Sequence, residues 1–146
     1  MRLTVLSDYA LRLLMHVGRH PERLCTISEI ADAYGISRPH LMKITHLLSQ
    51  RGWLETVRGK HGGMRLAMPP EQINLGRVLR DTESDFALVE CLGADSACSL
   101  GGSCRLTAIF QGALENFLAY VDGYTLADIL PPAASGEHPL RLHRRA

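Results

Sequence analysis

The segment 26–68 constrains the fold of this chain more than any other stretch of its sequence. It begins TISEIADAYGISRPHLMKITHLLSQRG, in which the Thr-x-x-Glu pattern at 26–29 is a capping box that starts a helix. Gly35 is placed to end that helix, and Ser37 can cap the next one. Two short helices joined by a glycine-containing turn predict a helix-turn-helix over about 27–50.

A β-hairpin is predicted directly after the second helix, over about 53–68. In WLETVRGKHGGMRLAM, apolar and polar residues alternate over 64–68, as in a half-buried strand, and RGKHGG supplies a flexible turn. A helix-turn-helix followed by a basic-tipped hairpin is the order of elements in a winged helix. The fold class predicted is therefore mainly α with a small β-hairpin, with residues 1–83 as a winged helix-turn-helix DNA-binding domain.

The charge of the chain is divided unevenly between its two halves. Residues 1–80 hold 12 Lys+Arg against 6 Asp+Glu, whereas residues 81–146 hold 4 against 9. A basic front half joined to an acidic back half favours contact of the front half with a polyanion, here double-stranded DNA. The alternative is a charged surface that is merely solvated.

The candidate DNA contacts lie in the first turns of the second helix and in the hairpin turn. The N-terminal end of a recognition helix usually reads base edges in the major groove. Arg38 can bond guanine or a phosphate, and Lys43 suits a phosphate. In the hairpin turn, glycines allow close approach of the backbone while the cations enter or flank a minor groove; the alternative is a mobile, solvated turn. The predicted DNA-contacting residues are Ser37, Arg38, His40, Lys43, Arg58, Lys60, His61, Gly62 and Gly63.

Three cysteines fall within CLGADSACSLGGSC, in a predicted loop over 84–104. Their spacing, Cys91-x6-Cys98-x5-Cys104, does not resemble the paired C-x2-C knuckles of a zinc ribbon. Wide gaps favour a loop that holds an iron–sulfur cluster and leaves one iron for a non-thiolate ligand. A zinc site, a thiol–disulfide switch and three unconnected cysteines are the alternatives. Cys25, far upstream, is predicted to be a small buried side chain without a function.

A long helix and a short end helix are predicted over 105–130. An apolar stripe of this length needs a partner surface. A second copy of the chain is a more economical partner than the domain to which the helix is attached. The tail, 131–146, lacks apolar periodicity and is predicted to be disordered. The stripe consists of Leu106, Ile109, Phe110, Ala113, Leu114, Phe117, Leu118 and Val121.

Several classes of protein are disfavoured by the sequence. A first helix is predicted over 7–18, with Ser7 or Asp8 as its N-cap, and charged residues, including Arg2 and Arg12, interrupt its apolar run, unlike a signal peptide. No run approaches the roughly 18 apolar residues of a membrane span, so a cytoplasmic protein without a membrane partner is expected. Metalloprotease, nucleophile-elbow and dinucleotide motifs are absent, so no enzyme is expected. A non-DNA-binding metal or electron-transfer protein would use the cysteines but would not need a wing.

Five segments carry a resemblance to a known family: LSDYALRLL, TISEIADAYGISRPHLMKI, VRGKHGGMRLA, the three cysteines followed by RL, and YTLADIL. Over about residues 1–130 the chain resembles the cysteine-bearing winged-helix transcriptional regulators. The wing segment and YTLADIL are similar to the branch of nitric-oxide-sensitive repressors. That branch implies a homodimeric repressor whose loss of DNA binding on exposure to nitric oxide switches on genes for nitric oxide detoxification. A repressor that senses iron–sulfur supply or redox state is the alternative within the family.

The same resemblance implies the cofactor and its ligands. An iron–sulfur cluster is expected on Cys91, Cys98 and Cys104, as 4Fe–4S in preference to 2Fe–2S, with the partner subunit's Asp8 as a fourth ligand. The alternative role of Asp8 is to stabilise its own helix end. The branch that regulates cluster assembly is expected to have a histidine three residues after the last cysteine, where this chain has Thr107. The six-residue gap after the first cysteine is one longer than is common in the family.

Overall fold

The computed structural model of this protein describes residues 2–93 and 104–131. Helices and a two-stranded antiparallel hairpin make up the regular structure of this part of the chain, which confirms the predicted fold class. Two short 3-10 turns, Pro70–Gln72 and Glu90–Leu92, lie between longer elements. In chain order the elements are α1 (Val5–Gly18), α2 (Ile27–Tyr34), α3 (Arg38–Gln50), β1 (Leu54–Val57), β2 (Gly63–Leu66), α4 (Leu75–Thr82), α5 (Arg105–Asp122) and α6 (Leu126–Ile129).

Helices α2 and α3 form the predicted helix-turn-helix. The capping box is present, since the Glu29 backbone N–H donates to the Thr26 hydroxyl (3.3 Å) and the Thr26 backbone N–H donates to the Glu29 carboxylate (3.1 Å). Gly35 ends α2 with φ +65°, a left-handed conformation that favours glycine. Ser37 precedes α3 as its N-cap residue, but its side chain makes no capping hydrogen bond.

Helix α1 begins earlier than the sequence predicted, and the N-cap assigned to Ser7 or Asp8 is wrong. Thr4 is the N-cap, and its hydroxyl accepts a hydrogen bond from the Ser7 backbone N–H (3.3 Å). Ser7 is fully buried instead, with its hydroxyl 2.7 Å from that of Thr82 in α4. The contact with α4 is distant in sequence, so a local capping pattern could not reveal it.

The hairpin is anchored to the connector between α1 and α2. Leu54 pairs with Leu66 across the strands, and Cys25 pairs with Met64 on the outer side of β2. The Cys25 backbone N–H donates to the Met64 carbonyl (2.9 Å), and the Met64 backbone N–H donates to the Cys25 carbonyl (2.8 Å). A Cβ atom at Gly63 would lie 2.6 Å from that Cys25 carbonyl oxygen, so only glycine allows so close an approach.

One hydrophobic core joins α1, the helix-turn-helix, the hairpin and α6. Leu126 of α6 is fully buried in it, and the Leu126 backbone N–H donates to the Ile73 carbonyl (2.8 Å). This end helix is predicted together with the long helix over 105–130, but its side chains pack in the core of the winged helix. Other fully or almost fully buried members of the core are Leu13, Leu14, Cys25, Ile30, Leu41, Ile44, Leu48 and Met64.

Helix α5 lies against α4 and keeps an exposed apolar face. None of its 18 residues is buried. A pair between Arg80 and Asp122 (2.8 Å, Nη2 to Oδ2) ties its C-terminal end to α4, and this hydrogen bond lowers the pKa of the Asp122 carboxyl. In the part of the chain that the structure describes, no helix is both long and apolar enough to cross a bilayer. The predicted stripe is divided between half-buried Phe110, Leu114, Phe117, Leu118 and Val121 and exposed Leu106, Ile109 and Ala113.

Candidate nucleic-acid interface and cysteine site

The first turns of α3 present polar and cationic side chains to solvent. Ser37, Arg38, His40 and Lys43 are all exposed, whereas Leu41 between them is fully buried in the core. The same helix therefore anchors itself by one face and offers the other to a ligand. This arrangement is the one that a recognition helix needs.

Two further residues, Tyr9 and Met42, belong to this surface, although the sequence patterns do not predict them as DNA contacts. Tyr9 of α1 packs edge-on against the ring of His40, with 6.0 Å between ring centroids, so His40 is oriented by α1. Met42 is 60% exposed on α3, and an apolar side chain at that place can contact a thymine methyl group. The sequence offers one signal for Met42 as a DNA contact: it directly precedes Lys43 and lies off the buried face of α3.

The turn between β1 and β2 carries the second set of predicted DNA contacts. Arg58, Lys60 and His61 are exposed, and Gly62 and Gly63 are half-buried. Within residues 2–93 and 104–131, the cations Arg38, Lys43, Arg58 and Lys60 take part in no ion pair. Cations without acidic neighbours are available to phosphates.

The base of the hairpin is fixed to α4 through Trp53. The Trp53 indole Nε1–H donates to Asp81 (2.7 Å), and the Arg77 guanidinium lies 5.4 Å from the centre of the indole ring. The residue is only 2% exposed, so this hydrogen bond satisfies an otherwise buried donor. The orientation of the hairpin thereby depends on α4.

Two of the three predicted cluster ligands, Cys91 and Cys104, lie near Thr107 in the first turn of α5. Cys104 is the N-cap residue of that helix, and the nearby backbone N–H groups of Thr107 and then Leu106 lower the pKa of its thiol. The Cys91 sulfur lies 3.3 Å from the Thr107 hydroxyl. Cys98 lies outside the described residues. A helix end that favours thiolate, together with a second thiol next to Thr107 in the first turn of that helix, fits the sulfur donors of an iron–sulfur cluster.

Asp8 lies in the first turn of α1 and is paired within its own chain. Its carboxylate accepts hydrogen bonds from Arg12 one turn later, at 2.9 Å from Nη2 and 3.0 Å from Nε, and its side chain is 48% exposed. The same helix end is held by Glu83, which accepts hydrogen bonds from the Thr4 backbone N–H (2.8 Å) and from the Ser7 hydroxyl. The cysteine-bearing segment begins immediately after Glu83, so it starts where α1 begins.

Comparison with known proteins identifies the family of the chain. The sequence pattern of Rrf2, described as an iron-dependent transcriptional regulator, matches residues 3–132. The chain belongs to the Rrf2 family. Among curated relatives, a protein named HTH-type transcriptional regulator NsrR from Bacillus subtilis is 45% identical over 132 residues, which cover 89% of this chain and 90% of that protein. A protein of the same name from Geobacillus kaustophilus is 46% identical over 137 residues, covering 92% of this chain and 93% of that protein.

Two solved structures share the fold. IscR from T. potens superimposes with a TM-score of 0.71 at 22% identity, covering 88% of this chain and 85% of that one. The oxidized form of CymR from Staphylococcus aureus gives a TM-score of 0.73 at 19% identity, covering 92% of this chain and all of that one. At these identities the likeness concerns the fold alone.

Proposed function

We propose that this chain is a homodimeric, cytoplasmic DNA-binding repressor that senses nitric oxide through an iron–sulfur cluster, preferentially 4Fe–4S, and then releases its operator. The observation that carries the proposal is the presence of two surfaces in one chain. Exposed cations of α3 and the hairpin turn form one, and the thiols of Cys91 and Cys104 beside Thr107 form the other. The similarity to relatives named NsrR and the wing and YTLADIL segments support the nitric-oxide-sensitive branch.

The DNA-binding step assigns a role to each part of the first surface. Arg38, with Ser37 and His40, reads base edges from the first turn of α3, and Lys43 contacts a phosphate. The turn residues Arg58, Lys60 and His61 flank or enter the adjacent minor groove. Gly62 and Gly63 let the backbone of the turn approach the duplex. Two copies of the chain place two such surfaces on half-sites about one helical turn, or a multiple of it, apart.

The sensing step uses the second surface. Cys91, Cys98 and Cys104 hold the cluster, and the partner subunit's Asp8 completes the ligand set, in exchange for its present pairing with Arg12. When bound, the cluster supplies iron atoms that react with nitric oxide. The hydroxyl of Thr107 and the backbone N–H groups at the start of α5 favour the thiolate form of Cys104.

The two surfaces are connected through the start of α1. Glu83 joins the beginning of the cysteine segment to Thr4 and Ser7, and Tyr9 of the same helix packs against His40 of α3. A change in the cysteine segment therefore has a short route to the recognition helix. For this route to control affinity, the two states of the segment must favour different arrangements of the dimer.

Operator binding by anaerobically purified protein tests the proposal. Duplexes selected from a random library serve as the operator, and binding is measured before and after addition of nitric oxide. We expect a sequence-specific complex that weakens steeply with salt and is lost when nitric oxide is added. Cys91→Ala should abolish the change in operator binding that nitric oxide causes. Glu90→Gln, a substitution at the neighbouring exposed residue, should retain this change.

Each contrary outcome has a separate meaning. A protein that forms no sequence-specific complex would favour a metal or electron-transfer protein and would overturn the proposal. A complex released by oxygen or by iron chelation, but not by nitric oxide, would identify a redox or iron–sulfur-supply sensor instead. A colourless, zinc-loaded protein whose operator binding ignores nitric oxide would rule out the sensing step.

A further inference from the structure

A second group of potential metal ligands lies beneath the hairpin, at the junction of α1 and α2. His16 of α1, Cys25 of the connector and Glu29 of α2 each offer one ligand atom, and these atoms all lie within 4.8 Å of one another. Cys25 is fully buried, while His16 and Glu29 are partly buried, with 13% and 29% of their side chains exposed. The group contains none of the three cysteines of the sensing site.

We propose that His16, Cys25 and Glu29 bind a divalent metal ion of the zinc class. Imidazole, thiolate and carboxylate are the donors that Zn²⁺ takes in proteins, with bonds of about 2.0–2.3 Å. In a tetrahedral site such bonds separate the ligand atoms by about 3.3–3.8 Å. The His16 Nε2 to Glu29 Oε1 distance is already 3.1 Å, so small side-chain movements complete the triangle. Water takes the fourth position.

The present partners of Glu29 define what the ion must replace. Burial raises the pKa of Glu29, but hydrogen bonds from Thr26, Arg23 and His16 outweigh it and hold the pKa at about 2, so the carboxylate is ionised at neutral pH. Arg23 donates to the same Oε1 atom that faces His16, at 2.8 Å. Its side chain is 43% exposed and lies 3.9 Å from Glu22, toward which it can turn when a cation takes its place.

Cys25 must lose a proton to become a ligand. Burial raises the pKa of its thiol to about 11, and the nearby Glu29 carboxylate adds to this effect. Metal binding therefore forms a metal–sulfur bond, breaks the S–H bond and releases one proton to solvent. The hydrogen on His16 Nε2 that faces Glu29 moves by exchange with solvent to Nδ1, so that Nε2 of the neutral ring can bind the ion. This cost favours metals that bind thiolate strongly, as Zn²⁺ does, over Mg²⁺ or Ca²⁺.

Because of the position of the site, a bound ion would affect the packing of the DNA-binding half of the chain. Cys25 pairs through its backbone with Met64 of β2, and Glu29 is the capping-box residue of α2. An ion on these side chains joins α1, the helix-turn-helix and the hairpin at one point. It thus acts on the orientation of the hairpin without involving the cysteine segment.

Cobalt titration of the full chain tests the proposal. Cys91, Cys98 and Cys104 are each replaced by serine, so that Cys25 is the only thiol left to bind; the two described ones lie outside the hydrophobic core. We expect one Co²⁺ per chain, with a sulfur-to-cobalt charge-transfer band and tetrahedral d–d bands, and displacement of the cobalt by Zn²⁺. Because this protein lacks the loop thiols, failure of the titration leaves the proposed repressor function untouched.

Single substitutions in the same background identify the ligands. Cys25→Ala should remove the charge-transfer band, and His16→Gln should weaken Zn²⁺ binding at least tenfold, while His46→Gln, an exposed histidine of α3, should change nothing. Arg23→Gln should tighten binding, since it removes the competing cation. If Cys25→Ala does not fold, as judged by circular dichroism, the partly exposed His16 decides the question. Absence of the band, or equal Zn²⁺ affinity of the parent and His16→Gln, would overturn the proposal.

Discussion

At the scale of single residues, Asp81 illustrates how one polar contact supports the hairpin. Its carboxylate accepts the hydrogen bond of the buried Trp53 indole and lies 3.6 Å from the exposed Arg51. We predict that Asp81→Ala lowers the free energy of unfolding by about 1–3 kcal/mol, because a buried donor then lacks an acceptor. Urea unfolding measures this loss, and fluorescence of Trp53, the single tryptophan in the chain, reports it locally.

Asp81→Asn separates the hydrogen bond from the charge. The amide oxygen of asparagine can still accept from the Trp53 indole, whereas the attraction to Arg51 is lost. Exposed ion pairs contribute about 0–1 kcal/mol, so the asparagine variant should keep most of the stability. Equal losses for alanine and asparagine would show that the hydrogen bond is not what Asp81 contributes.

At the scale of the secondary-structure elements, the hairpin turn can be tested as a phosphate contact. Lys60 is exposed and has no acidic partner among the described residues. We predict that Lys60→Ala weakens binding about equally for operator and unrelated DNA, and reduces the slope of log affinity against log salt by about 1. Binding isotherms over a series of salt concentrations measure both effects.

Arg19→Ala provides the matched control for this variant. Arg19 is exposed after the end of α1, outside α3 and the hairpin, and its removal changes the net charge by the same amount. A long-range effect of net charge alone would weaken DNA binding in both variants alike. If the salt slope of Lys60→Ala stays that of the parent protein, the turn makes no phosphate contact.

Sequence patterns predicted the elements whose signals are local. The capping box at Thr26 and Glu29 and the glycine at position 35 act within one turn of helix, so the sequence alone reveals them. The start of α1 was misplaced because Ser7 is committed to a buried contact with Thr82, far along the chain. The packing of Leu126 in the winged-helix core could not be predicted either, since the sequence of a short apolar helix does not indicate which element it packs against.

In the candidate sites too, features with local sequence signals could be predicted, and those that depend on distant contacts could not. Exposure of Arg38 and Lys43 could be predicted from the buried positions around them in α3. In contrast, the sequence marks Thr107 only as a departure from a family pattern, and its contacts with both Cys91 and Cys104 come from the path of the chain. The group of His16, Cys25 and Glu29 unites three elements, and no spacing rule links them.

At the scale of the whole molecule, the exposed apolar face of α5 is the surface through which we propose that two copies of the chain associate. Leu106 is 52% exposed and Ile109 is 65% exposed, while other apolar residues of the helix pack toward α4. We predict that Ile109→Lys converts a dimer to a monomer, because a charge would be buried at the interface. Operator affinity should fall at least tenfold, since each half-site is then bound separately. Light scattering and operator titration measure the two effects, and Gln111→Lys, which places the same charge on another exposed part of α5, should leave both unchanged. If the Ile109→Lys protein is still a dimer, the dimer interface does not lie on this face of α5.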